Sequence, residues 1–268
     1  MLRGDFDIEG GKPDKAPKFK AETRCKAGKK PPPLGGPSKR TLQVINVWKA
    51  DEAFAALVRS PELGRAVAEL GGWKAGARVA NDQVWAKPPG ASPLTFHRDS
   101  AYFDFTPGDV ITCWLALDDM EPELGPLEYV RGSHKWADGR VGSANMFFDA
   151  KDRFGLLYDA AKREGIAEPA ATLDVRQVKV KAGGCGIHNG RLWHGSGPNA
   201  SKTRARRGLG IHFVPADACF REASGRTLAH RFAMGEGCTK MPEEHFPITW
   251  SPLPDDGEPK SCAALPTD

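Results

Sequence analysis

Apolar positions along this chain follow first a mixed and then an alternating pattern. Arg40 to Trp48 (RTLQVINVW) reads as a strand entering a domain. Two short helices are predicted next: Asp51 can cap the first, which presents Phe54, Leu57 and Val58. Ser60 and Pro61 start the second, with Leu63, Ala66, Val67 and Leu70 at helical spacing and Gly71-Gly72 to stop it. Beyond them the pattern is that of short strands at Arg78–Lys87, Leu94–Asp99, Asp109–Asp118, Pro126–Val130, Val175–Lys181, Gly186–His194 and Arg207–Val214, parted by Gly, Pro and Asp turns. One insertion breaks the alternation. Phe147 to Gly165 puts Phe154, Leu157, Tyr158 and Ala161 on one helical face, where a lid would sit. Many short strands with flanking helices predict a mainly β (α+β) fold, a double-sheet jelly roll with helices layered outside.

At 268 residues and 29.0 kDa the chain suits one well-buried domain. We place that domain at 40–268, with a core over 40–216 and a lid insertion over 137–172. Residues 1–39 read differently: the first forty residues hold eleven Lys/Arg against five Asp/Glu, among many prolines and glycines. Such a composition buries too little apolar surface to order itself, so it reads as a basic tail or strap. Contact with nucleic acid is not expected of it, a solvated extension being the commoner use of such a run. No run reaches the ~18 apolar residues of a membrane span, and no secretion signal opens the chain. An intracellular, cytoplasmic protein is expected, and the carboxy terminus has no Ser-Lys-Leu ending. The six cysteines form no Cys-x-x-Cys pair, which argues for mostly reduced thiols and against a zinc knuckle or redox dithiol.

Three residues change the picture. His97 and Asp99 stand two apart in Thr95-Phe96-His97-Arg98-Asp99, so an extended backbone projects both from one face and turns Arg98 the other way. His194 follows 97 residues later in His-Gly-Ser-Gly-Pro-Asn. Two imidazoles and one carboxylate are the ligand set of a non-haem Fe(II) oxygenase, and three protein ligands leave half of an octahedral ion open. His-Arg-Asp also occurs in kinase catalytic loops, but Asp104 stands where a kinase needs Asn and no glycine-rich phosphate loop is present. Gln83, Trp85 and Lys87 alternate onto one strand face, His188 lies six residues before His194, and Asn189-Gly190 between them signals a turn. His188 therefore reads as a lining or ligand-orienting imidazole, or as a plain core residue.

His97-Arg98-Asp99 with Tyr102-Phe103, Trp114-Leu115-Ala116-Leu117-Asp118-Asp119, Gly125-Pro126-Leu127, Gly132-Ser133-His134-Lys135 and His194-Gly195-Ser196-Gly197-Pro198-Asn199 together resemble the phytanoyl-CoA dioxygenase family over about Arg40 to Val214. The resemblance implies a double-stranded β-helix of cupin-like form and the use of Fe(II), 2-oxoglutarate and O2, with ascorbate as a supporting reductant. It implies metal ligands at His97, Asp99 and His194. An Arg about twelve residues after the second histidine, six before a His-Phe pair, holds the distal carboxylate of 2-oxoglutarate in relatives; of Arg204, Arg206 and Arg207 this selects Arg206, with Ser196 assisting. Gln83 can meet the keto acid, Lys87 a carboxylate of the cosubstrate or of an acidic substrate, and Trp114 can wall the pocket, although each is also an ordinary strand residue. Arg131 stands where many relatives have proline. The implied reaction is hydroxylation of a C–H bond in a small, lipid-like or acyl-type molecule. The alternative is a non-catalytic jelly-roll protein that keeps the metal residues as a binding or scaffold module. Halogenation on this scaffold is disfavoured, because halide needs the position that Asp99 fills.

Overall fold

The computed structural model describes residues 40–137, 152–221, 232 and 239–252. The basic tail, residues 138–151 of the lid insertion and most of the chain after 221 lie outside the described residues. In chain order the described strands are β1 (Leu42–Ile45), β2 (Ala77–Lys87), β3 (Leu94–His97), β4 (Phe105–Thr106), β5 (Ile111–Ala116), β6 (Leu127–Val130), β7 (Val175–Gln177), β8 (Cys185–Asn189), β9 (His194–Ser196), β10 (Arg206–Pro215), β11 (Cys219–Phe220) and β12 (Ile248–Trp250). Two helices, α1 (Glu52–Val58) and α2 (Pro61–Gly71), follow β1, and α3 (Gly155–Arg163) and α4 (Pro169–Thr172) follow β6.

The strands build two main antiparallel sheets and a small two-stranded one, β4 with β11. The larger has the order β1-β2-β10-β5-β8, with β12 also paired to β2; the smaller has the order β3-β9-β6-β7. This is the jelly roll that the alternation predicts. Alternate residues of the larger sheet, among them Val44, Val84, Cys113, Leu209, Ile211 and Phe213, pack outward against Val58 of α1 and Val67 and Ala68 of α2. Both helices carry the caps read from the sequence: Asp51 accepts from the amides of Ala53 and Phe54, Ser60 accepts from the amide of Leu63, and Gly72 closes α2 at φ 66°. On the smaller sheet Phe96, Val130 and Trp193 pack outward against Leu157 and Ala160 of α3. The described part of the lid insertion therefore covers the outside of the smaller sheet. With apolar residues committed to both outer faces, the space between the sheets receives the polar side chains of the inward rows. Among the described residues no helix is long and apolar enough to cross a membrane.

Several boundaries differ from the pattern reading. The first strand ends at Ile45, because Asn46 adopts φ 58° and the amide of Val47 donates to Asp82 Oδ2 at 3.1 Å, opening a 3-10 turn. The run Gly186–His194 is two strands, β8 in the larger sheet and β9 in the smaller, joined by the turn that Asn189-Gly190 signals. Asp99 is not the end of a strand but the first residue of a 3-10 turn, Asp99–Tyr102. Cys113 and Cys185 are free thiols, whereas Cys219 is disulfide-bonded, so reduced cysteines are the wrong expectation for that position.

Candidate active site

β3 and β9 are neighbours in the smaller sheet, and their register sets His97 directly opposite His194. Arg98 keeps extended backbone, so its guanidinium swings away from the interior and donates to the carbonyls of Ser133, Trp136 and Ala137, over the ring of Trp193. That anchoring aims Asp99 inward. Its Oδ1 lies 3.6 Å from His97 Nε2 and 3.5 Å from His194 Nε2, and one ligand atom from each of the three residues lies within 4.8 Å of the others. The tautomers are fixed from behind: His97 Nδ1 donates to the carbonyl of Thr95 at 2.9 Å and His194 Nδ1 to that of Leu192 at 3.0 Å. Two Nε2 lone pairs and a carboxylate oxygen thus converge in a buried place. This donor set fits a divalent metal ion, which alone satisfies all three at once.

The other oxygen of Asp99 belongs to the larger sheet. Thr112 Oγ1 donates to Oδ2 at 2.6 Å and His188 Nε2 donates to it at 3.1 Å, while the hydroxyl of Tyr129 meets His188 Nδ1 at 2.9 Å. Burial pushes the Asp99 carboxyl upward, but His194 and His212 nearby and the hydrogen bond from His188 outweigh it and hold the group well below the usual carboxylate range. Burial and then His97 drive the His194 imidazole well down.

At the other end of the interior β2 and β10 place Lys87 directly opposite Arg206. Both are fully buried, and neither makes an ion pair among the described residues. Lys87 Nζ donates to Ser196 Oγ at 2.8 Å and to the carbonyl of Gly197. Arg206 donates through Nε and Nη2 to the carbonyl of Gly125, and its guanidinium lies 5.2 Å from the Trp114 ring. Burial brings Arg206 down to about 10; burial, then Arg206 and Arg153, bring Lys87 down to about 6. A buried Arg206 cation beside the Lys87 amine, with no carboxylate ion-paired to either among the described residues, fits a ligand that carries its own carboxylate. Trp114 can lie flat against β10 only because position 208 is glycine: a Cβ there would come within 2.1 Å of the indole Cζ2.

The family model for phytanoyl-CoA dioxygenase (PhyH) matches residues 15–208. The chain belongs to the phytanoyl-CoA dioxygenase family. Among curated relatives of this family member is the "Probable alpha-ketoglutarate-dependent hypophosphite dioxygenase" of Stutzerimonas stutzeri, 29% identical over 185 residues, which cover 69% of this chain and 60% of the relative. The chain thus spans about three-fifths of that relative's length. Among solved structures, the non-haem alpha-ketoglutarate-dependent carbocyclase SnoK from nogalamycin biosynthesis aligns with TM-score 0.60 and 25% identity over 80% of this chain and 79% of its own. The epimerase SnoN, solved with Fe3+, alpha-ketoglutarate and nogalamycin RO, shares the fold at TM-score 0.58 and 22% identity over 78% of each chain.

Within this family member the remaining candidates sort by register. Gln83 faces inward in the row of Gly210 and Trp114, with its amide engaged by Gln43 at 2.8 Å and Asn81 at 3.4 Å. Arg204 pairs with Glu121 and Glu123 on the surface, and Arg207 pairs with Asp118. His188 is neither a fourth member of the convergent set nor a plain core residue, since its Nε2 orients Asp99. Sequence reading missed Thr112, Tyr129 and His212. The signal was faint but present: Thr112 and His212 are polar positions in otherwise apolar runs, Ile-Thr-Cys-Trp and Gly-Ile-His-Phe, whose alternation puts them on the inner face.

Proposed function

We propose that this chain is an Fe(II)- and 2-oxoglutarate-dependent dioxygenase that hydroxylates a C–H bond of a small or lipid-like organic substrate. The observation that carries this reading is the convergence of His97 Nε2, His194 Nε2 and Asp99 Oδ1, with the buried Arg206 and Lys87 at the far end of the same interior. Fe(II) held by the first three, with 2-oxoglutarate and O2, supplies the oxidising power for an unactivated C–H bond, and 2-oxoglutarate leaves as succinate and CO2. The protein's share is orientation. Arg206, a planar and permanently charged fork, holds the distal carboxylate; Ser196 and Lys87 add donors, and the Trp114 ring forms a wall that excludes water. Asp99 occupies a coordination position that a halide would need, which favours hydroxylation over halogenation. The names of the relatives, all alpha-ketoglutarate-dependent proteins, support the cosubstrate.

The direct test is succinate release from 2-oxoglutarate by the purified chain with Fe(II) and ascorbate, across a metabolite panel. Succinate that requires Fe(II) and rises with particular compounds is the expected result; metal binding without succinate would instead fit a scaffold protein.

A pH dependence follows from Lys87. Its ammonium form is disfavoured above about pH 6 in the free protein, and a bound dicarboxylate raises that value. The bound state then holds more protons than the free state, so 2-oxoglutarate affinity is greatest below pH 6 and falls as pH rises, by up to about tenfold per unit. Calorimetric titrations at pH 7.5 in buffers of different ionisation enthalpy should register uptake of close to one proton, lost in Lys87→Met. Wild-type protein that binds 2-oxoglutarate with no proton uptake would remove Lys87 from the pocket.

A further inference from the structure

The smaller sheet ends at β7, whose Val175, Arg176 and Gln177 are all exposed. Which main-chain groups of this edge are free follows from the register. The Arg131 amide donates to the Asp174 carbonyl and the Val178 amide to the Leu127 carbonyl, so Asp174, Arg176 and Val178 turn their main-chain groups toward β6. Val175 and Gln177 turn theirs the other way. The Val175 amide is taken by the Leu173 carbonyl at 3.1 Å, which leaves the Val175 carbonyl and both groups of Gln177 with no main-chain partner among the described residues. An edge of this kind is a template for one more strand.

The same register puts a cavity beside it. Gln177 and Val175 lie opposite Glu128 and Val130, and all four share the outer face, since Leu127 and Tyr129 of β6 face the chamber. Between this row and helices α3 and α4 lies a cavity of about 720 Å³, walled by Leu173 and by the stacked rings of Phe154 and Tyr158, whose centroids are 5.3 Å apart. The thickness of the sheet separates it from the metal set. Its lining is unevenly charged, with Arg153, Arg176 and Lys179 against Glu128. Arg153 is matched by Glu128 at 2.8 Å and Arg176 by Asp174, while Lys179, two residues beyond Gln177 in the same row, has no ion pair among the described residues. A second copy of the chain would bring the same excess of positive charge to its own edge, so the complementary occupant is acidic.

We propose that the free edge of β7 takes up an extended acidic peptide from a partner protein as a fifth strand of the smaller sheet, antiparallel like every described pairing in it. Gln177 then exchanges both main-chain hydrogen bonds with one residue of the peptide, whose side chain lies on the outer face and enters the cavity. An aromatic side chain fits there, against Phe154 and Tyr158. Two residues earlier the peptide stands opposite Lys179 and carries Asp or Glu; two residues later it stands opposite Val175 and carries an apolar side chain. The recognised pattern is acidic-x-aromatic-x-apolar. This inference is independent of the iron site.

The test titrates a fluorescein-labelled Thr-Glu-Thr-Phe-Thr-Val-Thr amide into the full chain and follows anisotropy. Saturable binding is expected, with hydrogen exchange slowed at the Gln177 amide as it gains a partner. Replacing Phe by Ala in the peptide should weaken binding about tenfold or more, and replacing Glu by Lys about fivefold. Lys179→Glu should reverse that second preference. Gln177→Pro removes the edge amide without touching the ladder to β6, and Ala170→Phe fills the cavity from α4; each should weaken binding about tenfold while circular dichroism stays unchanged. Should Gln177→Pro fail to fold, Ala170→Phe and the peptide substitutions decide. No binding of the probe, binding that the variants leave unaltered, or a preference of wild-type protein for the Lys peptide would overturn the proposal. A dimer of the chain that Gln177→Pro abolishes would also overturn it, by assigning the edge to a second copy.

Discussion

Alanine at His97, Asp99 or His194 is expected to eliminate Fe(II)-dependent turnover of 2-oxoglutarate while leaving the fold in place. Each residue supplies one of three converging atoms, and loss of a partner that merely orients a ligand already costs about 10–100-fold. Loss of a ligand itself should exceed that. The fold is spared because the outer faces of both sheets, packed on α1, α2 and α3, carry the apolar core, and none of the three side chains belongs to it. Asp99→Ala should be the most disruptive, since it strips Thr112 and His188 of their shared acceptor as well. Succinate release, Fe(II) binding and circular dichroism on the same samples separate the outcomes. Near-normal turnover in any one variant removes that residue from the metal set.

The second large effect is expected at Arg206. Arg206→Lys should raise the apparent KM for 2-oxoglutarate by about 100-fold, because an ammonium cannot reproduce the two-pronged donation of a guanidinium and leaves the Gly125 carbonyl short of a partner. A change that acts on cosubstrate binding leaves Fe(II) affinity nearly unaltered, which direct metal titration checks. Arg204→Lys is the internal control, since Arg204 sits on the surface with Glu121 and Glu123 and exposed ion pairs contribute little. A strong effect at 204 with none at 206 would show that the arginine loop has been read two residues out of step.

How much of this was legible in the chain depends on how far each signal reaches. His97 and Asp99 are local, fixed by a two-residue spacing that survives even though the strand yields to a 3-10 turn at Asp99. His194 and Arg206 sit in long stretches of matching residues. The jelly roll itself follows from alternation, and the helix caps from Asp51, Ser60 and Gly72. The division of Gly186–His194 between two sheets was signalled only by Asn189-Gly190, because apolar alternation does not reveal which sheet a strand joins. Thr112 and His212 gave only the faint signal of a polar position in an apolar run, for a related reason. Their meaning lies in a cross-strand register between segments 100 residues apart, which no local pattern encodes. The disulfide at Cys219 was hidden likewise, since spacing does not determine connectivity.

Asp99 also has a mechanical role. Its Oδ1 faces histidines of one sheet while its Oδ2 is tied to Thr112 and His188 of the other. A single short side chain is therefore a strut between the two walls, and its length sets the gauge of the chamber at that point. An ion drawn in by Oδ1 would load the strut, and the tension would pass through Thr112 directly to the strand that carries Trp114. The carboxylate proposed to hold the metal thus also ties the far wall to the near one.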